Sequence, residues 1–210
     1  MLPHEIERES FRIIRAEMGD HSFSEEELAV VVRVIHATAD FDFQQIIRFH
    51  PQAIASGLEA IRRGCTIVTD VRMVEVGISE AILAEFGGRI VCDIRHPGVY
   101  EQARAQGLTR STVAMRLNAA NIAGGIVAIG NAPTALLEVI RLVREEGIRP
   151  ALIVGAPVGF VSAVESKDEL LTLDVPYITA VGRKGGSTVA AAMINALLRL
   201  AQNRRLKDEG

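Results

Sequence analysis

The sequence predicts an α/β fold: one domain spanning 1–210, with a mainly parallel sheet, helices on both faces and additional helices at the N-terminus. Three observations carry that prediction. From Cys65 onward, short apolar runs alternate with amphipathic helical ones, as strands joined by helical crossovers do. Those runs are apolar throughout rather than every second residue, which suits strands covered on both faces. The composition, 49% hydrophobic but only 4% aromatic, supplies an aliphatic core and excludes a disordered chain.

The elements follow in order. Helical patterns span Pro3 to Met18 and Ser24 to Ala39; in the second, Ser24 and Glu27 form a capping box and the acids of "SEEE" favour the positive helix end. A third runs from His50 to Gly64, with Pro51 suited to a first helical turn and Gly64 to a left-handed cap. Strand-like runs are "CTIVTD" (Cys65–Asp70), "RIVCDIR" (Arg89–Arg95), "GIVAIGNA" (Gly125–Ala132), "ALIVGAPVGF" (Ala151–Phe160) and "YITAVGRKGG" (Tyr177–Gly186). Between and after them lie helices such as Pro133–Gly147 and Ser187–Gln202.

Charge and termini narrow the function classes. A net charge of -3, with no basic block beyond "RRLK" near the C-terminus, argues against a nucleic-acid partner. The first residues, "MLPHEIERES", are charged where a secretory signal is apolar, and no stretch reaches the roughly 18 apolar residues of a membrane span. A soluble cytoplasmic protein is expected. Cys65 and Cys92 form no CxxC pair and read as small buried apolar residues rather than metal or redox groups.

In a parallel α/β sheet, ligands bind beyond the carboxyl ends of the strands. Those ends hold Asp70, Asp93 with Arg95, Gly130-Asn131, the loop from Gly155, and Gly182 to Ser187. The two aspartates serve either chemistry or helix capping. The last three loops are rich in glycine, so backbone N–H groups and helix starts can face an anion there, with Arg183 and Lys184 reinforcing the last; the plainer alternative is tight turns with solvated cations. Both GxxxxGKS/T and GxGxxG are absent, which removes the common nucleotide motifs.

His36 closes a helical pattern in "RVIHATADFDF". It lies on or beside the stripe of Leu28, Val31, Val32 and Ile35 and is expected to face inward, as a core histidine, a helix-end charge, or a catalytic acid or base. Asp40 and Asp42 read as structural polar groups, with orientation of His36 as the alternative. His4, His21, His50 and His96 are weaker candidates, and no histidine pair has metal-ligand spacing with a third ligand. No GxSxG elbow supports covalent acyl chemistry. Arg110, in "TRS", opens a helix, where it is placed to hold a ligand carboxylate unless it is an ordinary surface arginine.

Taken in order, "RVIHATADFDF", "AIRRGCTIVTDVRMVEVGI", "TRSTVAMR", "GIVAIGNAPTALLEVI", "PALIVGAPVGFVSAVESKDEL" and "GRKGGSTVAAAMINAL" resemble the precorrin-8X methylmutase (cobalt-precorrin-8 methylmutase) family, from about Ser10 to about Leu200. The resemblance implies a Rossmann-like domain and an isomerase of cobalamin biosynthesis. Its substrate is precorrin-8X or cobalt-precorrin-8, and a methyl group moves from C-11 to C-12 to give hydrogenobyrinate or cobyrinate. It implies no cofactor and no resident metal, and a homodimer with the site near the interface. His36 matches the family's catalytic histidine; Ser10 and Arg110 match substrate-contact positions, and Thr38, Asn131 and Ser187 are extrapolated to the same role. His50 stands where relatives are expected to carry a small residue and inherits no role. The competing reading is a tetrapyrrole-binding carrier without catalysis. Many carboxylates around a flat apolar macrocycle fit several anion-binding loops around an aliphatic floor.

Overall fold

The computed structural model describes residues 2–208, apart from the side chains of Pro3, His4 and Asp208. Its first half runs α1 (Pro3–Met18), α2 (Glu25–Thr38), α3 (Phe43–Ile46), β1 (Ile47–Phe49), α4 (Ala53–Arg62), β2 (Thr66–Thr69), α5 (Arg72–Gly77), α6 (Glu80–Ala84), β3 (Arg89–Val91) and α7 (Pro97–Gln106). The second half runs α8 (Arg110–Leu117), α9 (Ala119–Ile122), β4 (Ile126–Ile129), α10 (Pro133–Glu145), β5 (Leu152–Gly155), α11 (Ala163–Leu170), β6 (Tyr177–Ala180) and α12 (Ser187–Asp208).

The local signals act as expected. The Ser24 side chain accepts from Glu27 N, and Ser24 N donates to Glu27 Oε2 at 2.9 Å, so both halves of the capping box form. Gly64 takes φ +72 after α4. Pro51, however, sits in a turn before α4, which starts at Ala53 behind Gln52. The last helix outruns its expected end at Gln202 because Glu85, just after α6, accepts from Gln202 at 2.8 Å and from Arg205 at 2.8 Å.

The six strands form one sheet in the order β1-β6-β5-β4-β2-β3, parallel except where β1 meets β6. Nothing in the sequence marks β1. Three residues are too few to show a period, and only pairing of Ile47 with Ala180 and Phe49 with Ile178 makes "IRF" a strand. Exposed Arg48 charges this edge against further pairing. The predicted runs also overreach: β3 ends at Val91, β5 at Gly155 and β6 at Ala180, and the remainders become the loops at the carboxyl edge.

Successive strand residues face opposite layers, so both faces bury apolar side chains. Ile126, Ala128, Leu152 and Val154 pack with α2, α4 and α12, whereas Val127, Ile129 and Ile153 pack with Leu136, Val139, Ile140 and Leu170 of α10 and α11. The chain steps outward from β2 to β3, then returns to place β4 on the other side of β2. This reversal opens a crevice at the carboxyl ends of β2 and β4.

Candidate functional site

Asp70 closes that crevice. It is fully buried, and its carboxylate accepts the N–H of Gly130 at 3.1 Å, of Asn131 at 2.8 Å and of Ala132 at 2.7 Å. Burial pushes its pKa up against the pull of those donors. The group therefore caps the loop before α10 from across the sheet. Asp93 accepts from Asn118 Nδ2 at 2.9 Å, which fastens the end of β3 to the end of α8. Both strand-end aspartates thus accept hydrogen bonds of the capping kind.

The three glycine loops converge, and their glycines answer to one another. A Cβ on Gly130 would lie 2.6 Å from Ser187 Cα, and one on Gly185 would lie 2.3 Å from Ala156 O. Gly186 N donates to Ala156 O at 2.8 Å, and Gly159 N to Arg183 O at 3.2 Å. Close backbone approach explains these positions without a ligand. The two cations have partners as well: Lys184 Nζ lies 2.6 Å from both Asp40 Oδ2 and Asp42 Oδ2, and Arg183 stacks over Phe160 at 5.3 Å. These hydrogen bonds raise the Lys184 pKa, and Lys184 lowers that of Asp40. Lys184 is thus engaged by carboxylates, whereas stacking leaves most of the Arg183 donors available.

His36 is exposed, contrary to the inward orientation expected from its helix stripe. Ile35 takes the last buried position of α2, and one residue further turns the side chain about 100° around the axis, out of the core. The ring instead faces a cleft of about 230 Å³ shared with Arg33, Met73, Thr188, Ala191 and Asn195. Phe11 meets it edge-on with centroids 5.2 Å apart, and the Arg33 guanidinium covers Phe11 at 5.1 Å. Asn195 pins the far wall, accepting from Ser79 N at 2.8 Å and donating to Gly77 O at 2.8 Å.

Next to it along α5 lies a cleft of about 600 Å³, over the ends of β2 and β3, with Arg72, Arg95, Tyr100 and Arg110 in its wall. Arg110 begins α8 behind the Thr109 cap, as expected; it donates to Tyr100 Oη at 2.6 Å and stacks over that ring at 4.6 Å. Stacking fixes the guanidinium plane while leaving most of its donors available. Thr109 Oγ1 lies 2.9 Å from Thr134 Oγ1, so the Arg110 segment is bound to the start of α10, beyond Asn131.

The other site candidates stand in different states. Ser10 Oγ donates to Ile6 O at 2.9 Å within α1, next to Phe11. Thr38 Oγ1 donates to Val34 O at 2.8 Å and receives Asp40 N at 3.3 Å, finishing α2. Asn131 exposes its side chain, while Ser187 is buried at the start of α12 against Gly130. Asp40 and Asp42 engage Lys184, not His36. His50 Nδ1 accepts from Gln52 N at 3.2 Å and His96 Nδ1 from Gly98 N at 3.2 Å, which makes both turn-holding groups; His21 is exposed, and the side chain of His4 lies outside the described residues.

Burial pushes the Cys65 thiol up to about 11 and raises Cys92 too, although both are half-buried rather than fully buried. Among the described residues, no cluster of histidine, cysteine and carboxylate side chains could hold a metal ion. Sequence reasoning missed Arg72, Thr188 and Asn195, whose placement depends on how α5 meets α12. It also missed Lys167, fully buried in α11. Its spacing from Ala163 and Leu170, both buried, was the available signal.

Residues 5–200 match the family model described as precorrin-8X methylmutase. The cobalt-precorrin-8 methylmutase of Leptospira interrogans is 49% identical across 97% of this chain and 96% of its own length. That of Priestia megaterium is also 49% identical, across 96% of this chain and 89% of its own. The crystal structure of precorrin-8X methyl mutase from Thermus thermophilus superposes with a TM-score of 0.87 at 43% identity, covering 95% of this chain and 98% of that one.

Proposed function

The chain belongs to the precorrin-8X methylmutase family, and from that premise we propose that it moves the C-11 methyl of precorrin-8X or cobalt-precorrin-8 to C-12, with His36 handling the proton. It is an isomerase of cobalamin biosynthesis. A carrier that holds a corrin without converting it is not favoured, since the relatives carry methylmutase names.

One observation carries the site reading: His36 stands free of the core, its ring held by Phe11 at the mouth of a cleft walled by α5 and α12. An imidazole N–H placed there shares a proton with the conjugated macrocycle, polarises it, and stabilises charge as the methyl migrates. The proton returns at the end, and the rearrangement consumes nothing. Arg110 holds a peripheral carboxylate in the neighbouring cleft. Ser10, Thr38, Asn131 and Ser187 complete the polar contacts around the macrocycle, with Thr38 acting chiefly through the end of α2 that it holds.

We place the reaction in the cytoplasm and assign the chain a homodimeric state with the site near its interface. No helix among the described residues is long and apolar enough to cross a membrane. Met73, which lines the His36 cleft, and Val76 on the same helix leave apolar surface exposed, as do Phe160 and Val161 after β5, which supports burial by a macrocycle or a second copy. Light scattering tests the dimer. The activity is tested in a single turnover: purified protein with precorrin-8X, or its cobalt form, converts the visible spectrum to that of the corrin. Binding without conversion overturns the enzymatic reading.

A further inference from the structure

Lys167 has 0% of its surface exposed, yet no carboxylate lies within ion-pairing distance among the described residues. Its Nζ donates to Lys184 O at 2.9 Å, inside the last glycine loop. Burying an ammonium on a single neutral acceptor is costly, and an apolar side chain of the same length fills the same space at less cost. Burial accordingly pulls this group down to about 8, with the nearby Asp168 only partly opposing.

The acceptor it grips belongs to the residue whose side chain spans to α2. Lys184 Nζ reaches Asp40 and Asp42, both at 2.6 Å. Asp40 Oδ1 accepts Asp42 N at 3.0 Å, Asp40 N donates to Thr38 Oγ1 at 3.3 Å, and Ala39, at φ +53, donates its N–H to Ile35 O at 2.7 Å. Thr38, Ala39 and Asp40, between His36 and the clasp, are thus each tied by a hydrogen bond. We propose that Lys167 and Lys184 are positioning residues for the methyl migration: Lys167 holds the Lys184 backbone, and the Lys184 side chain clasps Asp40 and Asp42 so that the last turn of α2 presents His36 at a constant angle to the cleft. The proposal rests on the reading of His36 as the proton-handling group.

The test uses the full chain with precorrin-8X as substrate, and compares Lys184→Met, Lys167→Met, the double variant and His36→Ala. A shift of His36 well under an ångström is enough to lower kcat about tenfold in each single lysine variant, while affinity for the product corrin stays within about twofold. The double variant is expected to be no slower than the worse single, because both act through one clasp. Unchanged kcat in Lys184→Met, or losses that multiply in the double variant, overturns the proposal. Lys184 is exposed, so its variant retains the fold; Lys167→Gln keeps a donor should Lys167→Met fail to fold. If neither Lys167 variant folds, that lysine is purely structural and its part of the proposal falls. Retained turnover in His36→Ala instead defeats the reading of His36, a result distinct from loss of the clasp alone.

Discussion

Asp70, at the end of β2, accepts the backbone N–H of Asn131, beyond the end of β4, at 2.8 Å. One buried carboxylate thereby shapes the loop of the neighbouring strand at the reversal point of the sheet. Asp70→Asn turns part of that acceptor into a donor facing backbone N–H groups, a change of about 1–3 kcal/mol by the cost of an unsatisfied donor. Urea unfolding is expected to show that loss; an unchanged midpoint with an unchanged slope contradicts the role.

His36→Ala removes an exposed ring, so the fold and the corrin affinity should persist while turnover collapses by about 100-fold or more, the usual contribution of a positioned acid or base. Single-turnover spectra and equilibrium binding of the product separate the two quantities. Normal turnover removes His36 from the chemistry.

Arg110→Ala should mainly weaken binding, by about tenfold or more if one charge-assisted hydrogen bond of about 1.5–3 kcal/mol is lost. Because the guanidinium stands in a cleft with Arg72 and Arg95, wild-type affinity should also fall with added salt more steeply than that of the variant. Equal affinity for both proteins at low salt excludes a carboxylate on Arg110.

Gly130→Ala places a Cβ 2.6 Å from Ser187 Cα and 2.9 Å from Gly186 O, backbone atoms that cannot swing aside. Overpacking of this kind costs about 1–3 kcal/mol. Thermal unfolding should shift downward, and a neutral result shows that the two loops separate more readily than their packing implies.

Lys167 yields a pH prediction. Its folded pKa is pulled down to about 8 from the ordinary lysine value of 10.5, so between those pH values the unfolded chain binds the proton more tightly. Stability therefore rises with pH across that window as the burial penalty on the ammonium is relieved, and the penalty is present in full below it. The Cys65 thiol, raised to about 11, works in the opposite direction, but it is common to wild type and Lys167→Met and cancels in their difference. Denaturation of both from pH 7 to 10.5 should show wild type gaining on the variant; a flat difference rules out a buried charged lysine.

Much of the fold was legible because its signals are local. The capping box at Ser24 and Glu27, the apolar runs of β2, β4, β5 and β6, and the left-handed Gly64 depend on neighbours a few residues away. The edge strand β1 was not, since its only cause is a partner far along the chain in β6. Within the site, Arg110 was legible as the first residue of a capped helix, and its stacking on Tyr100 was not.

By itself the sequence determined the α/β class, the carboxyl-edge location of the loops and the family motif around His36. The tertiary structure alone decided what those polar groups face. It turned His36 from the expected inward orientation to a cleft wall, gave Asp70 the loop N–H groups as partners, paired Lys184 with Asp40 and Asp42, and set Arg72 and Arg95 beside Arg110. The physical reason is range. Helix and strand signals come from periodicity along the chain, whereas the charge partner and exposure of a side chain depend on segments that only packing brings within a few ångströms.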